Sequence, residues 1–153
     1  MKMCIKQLSY ARAPFFEQVF PLFKNLANNP TDRLMDYNEA AIRTLAAAVG
    51  LDTSRLVIGS TLDTAGEATD LLISMTRAVE GTAYLCGGGA DGYQEDDKFA
   101  QVGLELIYQN FQHPIYPQIN TSKFIPGLSI VDALMNCGID GTCRLLQQGK
   151  SAC

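Results

Sequence analysis

The sequence predicts a small α/β domain: a short, mostly parallel sheet of about three strands, flanked by helices in three layers. Three observations carry this expectation. Arg55–Gly59, Thr82–Cys86 and Leu104–Tyr108 are short apolar runs with β-branched or aromatic residues, the pattern of buried strands. The stretches between them show helical periodicity, and crossovers of that length join parallel strands. The chain has 153 residues, 47% of them hydrophobic and 18% charged, which suits one soluble globule with a sizeable core. The expected layout is a single domain over residues 1–153: a helical part over 1–53, a βαβαβ core over 54–111, and a Pro-rich loop with C-terminal helices over 112–153.

Each element has a local reason. Phe15, Phe16, Val19, Phe20, Phe23 and Leu26 recur at helical spacing between Ile5 and Ala27, and Pro21 predicts a kink or split there. Asn28-Asn29-Pro30-Thr31 is a turn. A second helix is expected to start near Asp36, with Glu39 three residues on, and to stop at Gly50. After the first strand, Thr64 and Glu67 suggest a capping box. Ala68, Leu71, Leu72, Met75 and Val79 lie on one helical face, and Gly81 ends that helix. A glycine-rich loop from Gly87 to Tyr93 follows the second strand and leads to a helix over about Glu95–Val102. Ser129 and Asp132 cap a last helix with Ile130, Ala133, Leu134 and Cys137 on one face. Gly138 stops it, and a short helix is expected to continue the tail.

Parallel strands present their carboxyl ends on one edge, where open α/β sheets bind ligands. Here that edge would gather Ser60, Gly87, Gly88, Gly89, Asn110 and the segment reaching His113. His113 is the sole histidine, and Pro114 holds it in extended backbone. Its imidazole titrates near neutrality, which suits acid/base catalysis. The alternative is a structural residue that ties down the loop from Pro114 to Pro117. Asn110 and Gln112 could orient a ligand. Ser129 could contact an anion, or simply cap its helix.

Gly87, Gly89 and Gly92 match G-x-G-x-x-G literally, but the helix begins only after Gln94 and the next strand ends on Asn110 rather than an acid. This disfavours NAD and leaves the cofactor open. The loop reads either as a nest of backbone N–H groups for an anion or as a turn needing positive φ. Asp91 is an acid/base or metal-ligating candidate within it. Glu95-Asp96-Asp97 could ligate a divalent metal too, but read mainly as favourable charges in a first helical turn. No Cys/His zinc site is expected, and no metal is assigned: the five cysteines show no C-x-x-C spacing and no second histidine completes a zinc set. No G-x-S-x-G elbow or Walker A lysine is present.

Charge and composition bound the partners. The formal net charge is −4, and the 12 basic residues are scattered, against nucleic-acid or polyanionic surfaces. No apolar run approaches the ~20 residues that span a bilayer. No signal peptide opens the chain, so the expected compartment is the cytoplasm, with reduced thiols and with Cys86 and Cys137 buried.

Several blocks together resemble the WbqC-like protein family. They are Ala13–Leu22, Asp36-Tyr37-Asn38, Gly87–Tyr93, Tyr108–Gln118 and Phe124–Gly138. The His-Pro-x-Tyr-Pro stretch at His113–Pro117 and the Leu-Ser-x-x-Asp stretch at Leu128–Asp132 are the most specific. The resemblance implies a bacterial protein associated with surface-polysaccharide and O-antigen gene clusters, a pathway more than a reaction; the convergence of candidate residues on one sheet edge adds the expectation of a sugar-modifying or group-transfer enzyme. The resemblance also implies an N-terminal block with a Gln-Pro-x-Tyr-x-Pro-like motif that finds no counterpart here, so the chain is expected to match the family's C-terminal part. The substrate expected is a small molecule such as a nucleotide-sugar. A second reading is a non-catalytic module, paired as a homodimer or with a partner chain that covers an exposed apolar face.

Overall fold

The computed structural model describes residues 9–88 and 93–148. Two compact units organise the chain: Met1–Arg55 together with His113–Cys153, and Leu56–Gln112.

The first unit is helical. Helix α1 spans Phe16–Ala27, α2 spans Leu34–Ala48 and α5 spans Ile130–Gln148. Pro21 lies inside α1 without dividing it. Phe16 and Val19 turn inward, one helical turn apart, and Phe16 stacks on Phe20 with ring centroids 4.7 Å apart. They meet Ala13, Val49, Leu134 and Met135 in one apolar cluster. Leu134 is fully buried, and burying a side chain of that size contributes about 1.5–3 kcal/mol.

Helix α2 begins two residues before Asp36, which sits in its first turn rather than at its cap. Asp36 instead receives a hydrogen bond from the Thr31 hydroxyl at 3.4 Å. Helix α5 is broken where the sequence expects a stop. Gly138 has φ 70° and ψ −179°, a conformation essentially reserved for glycine. A Cβ there would also lie 2.6 Å from the Phe15 ring. Only glycine meets both demands.

The second unit holds the sheet. Helix α3 (Ala68–Ala78) precedes β1 (Ala83–Gly87), helix α4 (Asp96–Gln101) forms the crossover, and β2 (Glu105–Gln109) returns parallel to β1. The register pairs Tyr84 with Leu106 and Cys86 with Tyr108. Tyr84 stacks on Phe99 at 5.3 Å, and Phe99, Ile73 and Leu104 form the core on that side. Leu85 and Ile107, paired on the opposite face, are 59% and 39% exposed.

The α/β class stands, but the sheet has two strands where about three are expected. Arg55–Gly59 is the difference. The Ser54 N–H and hydroxyl both bond the Asp52 carboxylate, making a turn just before it. Just after it, Gly59–Thr61 curls into a 3-10 turn closed by the Thr61 N–H on the Ile58 carbonyl. Too little extended chain is left between the two turns for a ladder. The face of α3 also differs: Thr69, Ile73 and Thr76 are buried, while Val79 is 48% exposed. Thr76 can go inward because its hydroxyl donates to the Leu72 carbonyl one turn back. The helix starts at Ala68 with no side-chain cap, so the Thr64–Glu67 box does not form.

Candidate functional site

The parallel register decides what meets at the sheet edge. Gly87 lies opposite Gln109, so Gly88 and Asn110 leave the two strands side by side, and both are exposed. A side-chain network sits at the same end. Tyr108 projects from β2, one residue before the strand ends, and its hydroxyl donates to the Asp96 carboxylate at 2.8 and 3.0 Å. Asp96 is the first residue of α4. The Gln94 amide nitrogen reaches Asp96 Oδ1 and Tyr108 Oη, each at 3.2 Å, and Cys86 Sγ at 3.6 Å. Cys86 is buried on β1, and its thiol donates to the Ile107 carbonyl. The carboxylate that receives its proton pushes the Tyr108 phenol above its ordinary value, and partial burial adds to the shift.

A second observation anchors this edge. The Glu95 backbone N–H donates to the hydroxyl of Thr69, which is 2% exposed. The start of α4 is thereby tied to the start of α3. Beyond it, Lys98 pairs with Asp70 at 3.0 Å and Glu95 at 2.9 Å. Among the described residues no group of three or more His, Cys, Asp or Glu side chains could hold a metal ion.

The expected site residues are therefore distributed as follows. Gly87, Gly88 and Asn110 converge at one edge. Ser60 lies in the same unit, exposed in the 3-10 turn rather than at a strand end. Gly89 and Asp91 fall outside the described residues. His113 is exposed and belongs to the other compact unit. Three residues of the edge network, Gln94, Asp96 and Tyr108, escape sequence reasoning. Tyr108 reads as one more aromatic strand residue and Asp96 as a first-turn charge or metal ligand; only the packing of the crossover helix beside β2 brings them together.

The helical unit holds a different arrangement. Asp132, 5% exposed, accepts the Tyr10 hydroxyl at 2.9 Å, the Tyr116 hydroxyl at 2.9 Å and the Gln118 amide at 3.1 Å. One turn on, Asn136 accepts the Ile119 N–H at 3.0 Å and donates to the Asp132 carbonyl. The His-Pro-x-Tyr-Pro stretch and the Leu-Ser-x-x-Asp stretch are thus bonded to each other. Asp132 does not complete a capping box with Ser129; its carboxylate is spent on the loop. Burial, reinforced by the Asp132 carboxylate, pushes Tyr10 up to about 12. Burial also raises Tyr116 and the Cys137 thiol. Cys86, Cys137 and Cys143 are free thiols; Cys137 is half-buried rather than buried.

No helix among the described residues is long and apolar enough to cross a membrane. The model of the WbqC-like protein family matches residues 3–143. A match of that extent does not support confining the resemblance to the family's C-terminal part. No curated protein and no solved structure matches the chain. With the family's model running through nearly the whole sequence, the chain belongs to the WbqC-like protein family.

Proposed function

We propose that this protein acts in bacterial surface-polysaccharide (O-antigen) biosynthesis, in the cytoplasm, as a group-transfer or sugar-modifying enzyme on an activated sugar bound at the carboxyl edge of β1 and β2. The observation that carries the reading is the parallel register Gly87–Gln109. It brings Gly88 and Asn110 out together at the position where open α/β sheets take ligands. The backbone N–H at Gly88 and the Asn110 amide suit an anionic group such as a diphosphate. Ser60 is a further contact candidate of this unit. Asp91 enters the reading as an acid/base candidate on its chemistry, and His113, which belongs to the other compact unit, is a separate candidate with no place assigned at this edge.

A thermal-shift panel of nucleotide-sugars tests it. A ligand that binds the native state raises the unfolding midpoint. A rise with at least one nucleotide-sugar, lost on Asn110→Ala, is the expected result, and a flat response across the panel overturns the reading. If His113→Ala leaves turnover intact, His113 has no part in the mechanism.

A second reading is a non-catalytic module that docks a partner chain or a second copy. The exposed Leu85–Ile107 face favours it, because parallel sheets are ordinarily covered on both faces. Light scattering separates the two readings: a monomer that binds a nucleotide-sugar favours the enzyme, and an obligate dimer without ligand response favours the module.

A further inference from the structure

We propose that Asp96, Gln94 and Tyr108 form a hydroxyl-reading clamp that takes two neighbouring hydroxyls of the sugar. The proposal rests on the reading of the sheet edge as an activated-sugar site, and it names the residues that would recognise the sugar itself.

The argument is an account of donors and acceptors. Tyr108 has one hydroxyl proton, and Asp96 takes it. The Gln94 amide nitrogen has two protons, which serve Asp96, Tyr108 and Cys86. The donor side of the cluster is used up. The acceptor side is not. A carboxylate offers about four lone-pair positions, and Tyr108 and Gln94 do not fill them. Asp96 forms no ion pair among the described residues. Gln94 Oε1 accepts from no described residue. Asp96 is exposed and Tyr108 is 39% exposed, so the cluster is open to solvent.

A cluster with spent donors and spare acceptors selects a ligand that donates. Adjacent hydroxyls of a sugar do so without carrying charge, and a planar carboxylate beside a planar amide suits a vicinal pair. An ammonium group would be the other donor. The cluster is also held in place before any ligand arrives. Its members come from β1, β2, α4 and the preceding loop, and the Thr69–Glu95 bond fixes the last of these. Such preorganisation lowers the cost of binding.

Chemical-shift titration of the isotope-labelled whole chain with UDP-glucose, UDP and glucosamine tests the clamp. Wild type is expected to bind UDP-glucose about tenfold more tightly than UDP, the size of effect that hydrogen bonds to a charged group provide. Asp96→Asn and Gln94→Leu are expected to erase that preference while leaving UDP affinity unchanged. Tyr108→Phe, which keeps the ring, is expected to weaken it, since Asp96 loses its anchor. Full preference for UDP-glucose in Asp96→Asn and Gln94→Leu overturns the clamp and leaves the sheet-edge reading standing. Glucosamine binding that weakens with salt, with no preference for UDP-glucose over UDP, assigns the acceptors to a cation and also overturns it. If wild type binds neither nucleotide, the sheet-edge reading falls and the clamp falls with it.

Discussion

The chain builds a tyrosine–aspartate pairing in each of its two units, and the two do opposite work. In the helical unit, Asp132 is buried and takes donors from Tyr10, Tyr116 and Gln118, three side chains from two distant segments. Those bonds fasten Tyr10 and the Pro-rich loop to α5. In the sheet unit, Asp96 is exposed, takes donors from Tyr108 and Gln94, and keeps acceptor capacity to spare. The same two residue types make a fastener in one unit and an open, polar edge in the other. Burial is what separates them: removing a donor from a buried carboxylate strands a polar group away from water, while an exposed one is rescued by solvent.

The largest expected effects test whether each unit depends on its own core. Phe99→Ala removes a fully buried ring from the sheet unit and is expected to cost about 4 kcal/mol. Chemical denaturation reads the loss. Hydrogen exchange is expected to show it in β1 and β2 first; uniform loss across both units would make them one cooperative body. Gly138→Ala imposes a strained backbone and a clash with Phe15, at about 3 kcal/mol. A wild-type denaturation midpoint for this variant would remove the double requirement placed on Gly138.

Next come the two carboxylates themselves. Asp132→Ala leaves the Tyr10, Tyr116 and Gln118 donors without their acceptor, at about 2–3 kcal/mol. Asp96→Ala is expected to leave the unfolding midpoint within error of wild type. Equal destabilisation by the two would erase the contrast between fastener and open edge.

The contrast also has a pH signature. The native state holds the Tyr10 proton more tightly than the unfolded chain does, about 12 against an ordinary 10.0. The stabilisation is complete below pH 10 and is lost as pH rises from there towards 12. Phenolate absorbance should therefore show a tyrosine that resists ionisation at pH 11 and ionises at lower pH in Asp132→Ala, while burial still holds it above its ordinary value. An unchanged titration curve in that variant would detach Tyr10 from the carboxylate. The smallest effect belongs to Lys98→Ala. Its pairs with Asp70 and Glu95 are exposed, and exposed ion pairs contribute little. A thermal midpoint unchanged within error is expected.

Much of the fold was legible. Short apolar runs with β-branched or aromatic residues located β1 and β2 to within a residue, and the crossover length made them parallel. Gly138 announced the break in α5. Arg55–Gly59 misled because three apolar residues look the same in a strand and in an extended link; the turns at Asp52–Ser54 and Gly59–Thr61 decided the matter. The site was half legible. Gly87, Gly88 and Asn110 follow from strand ends, whereas Ser60 was assigned to a strand end that does not form.

Local pattern by itself determined where helices and strands lie and which glycines end them, since propensity, periodicity and caps act over a few residues. Tertiary structure alone decided what the polar side chains do. Tyr10 and Asp132 stand 122 positions apart, and Tyr108 and Asp96 stand on different elements. Hydrogen bonds between such residues depend on which strand lies beside which and how deeply each group is buried, and neither is written in the spacing of one segment.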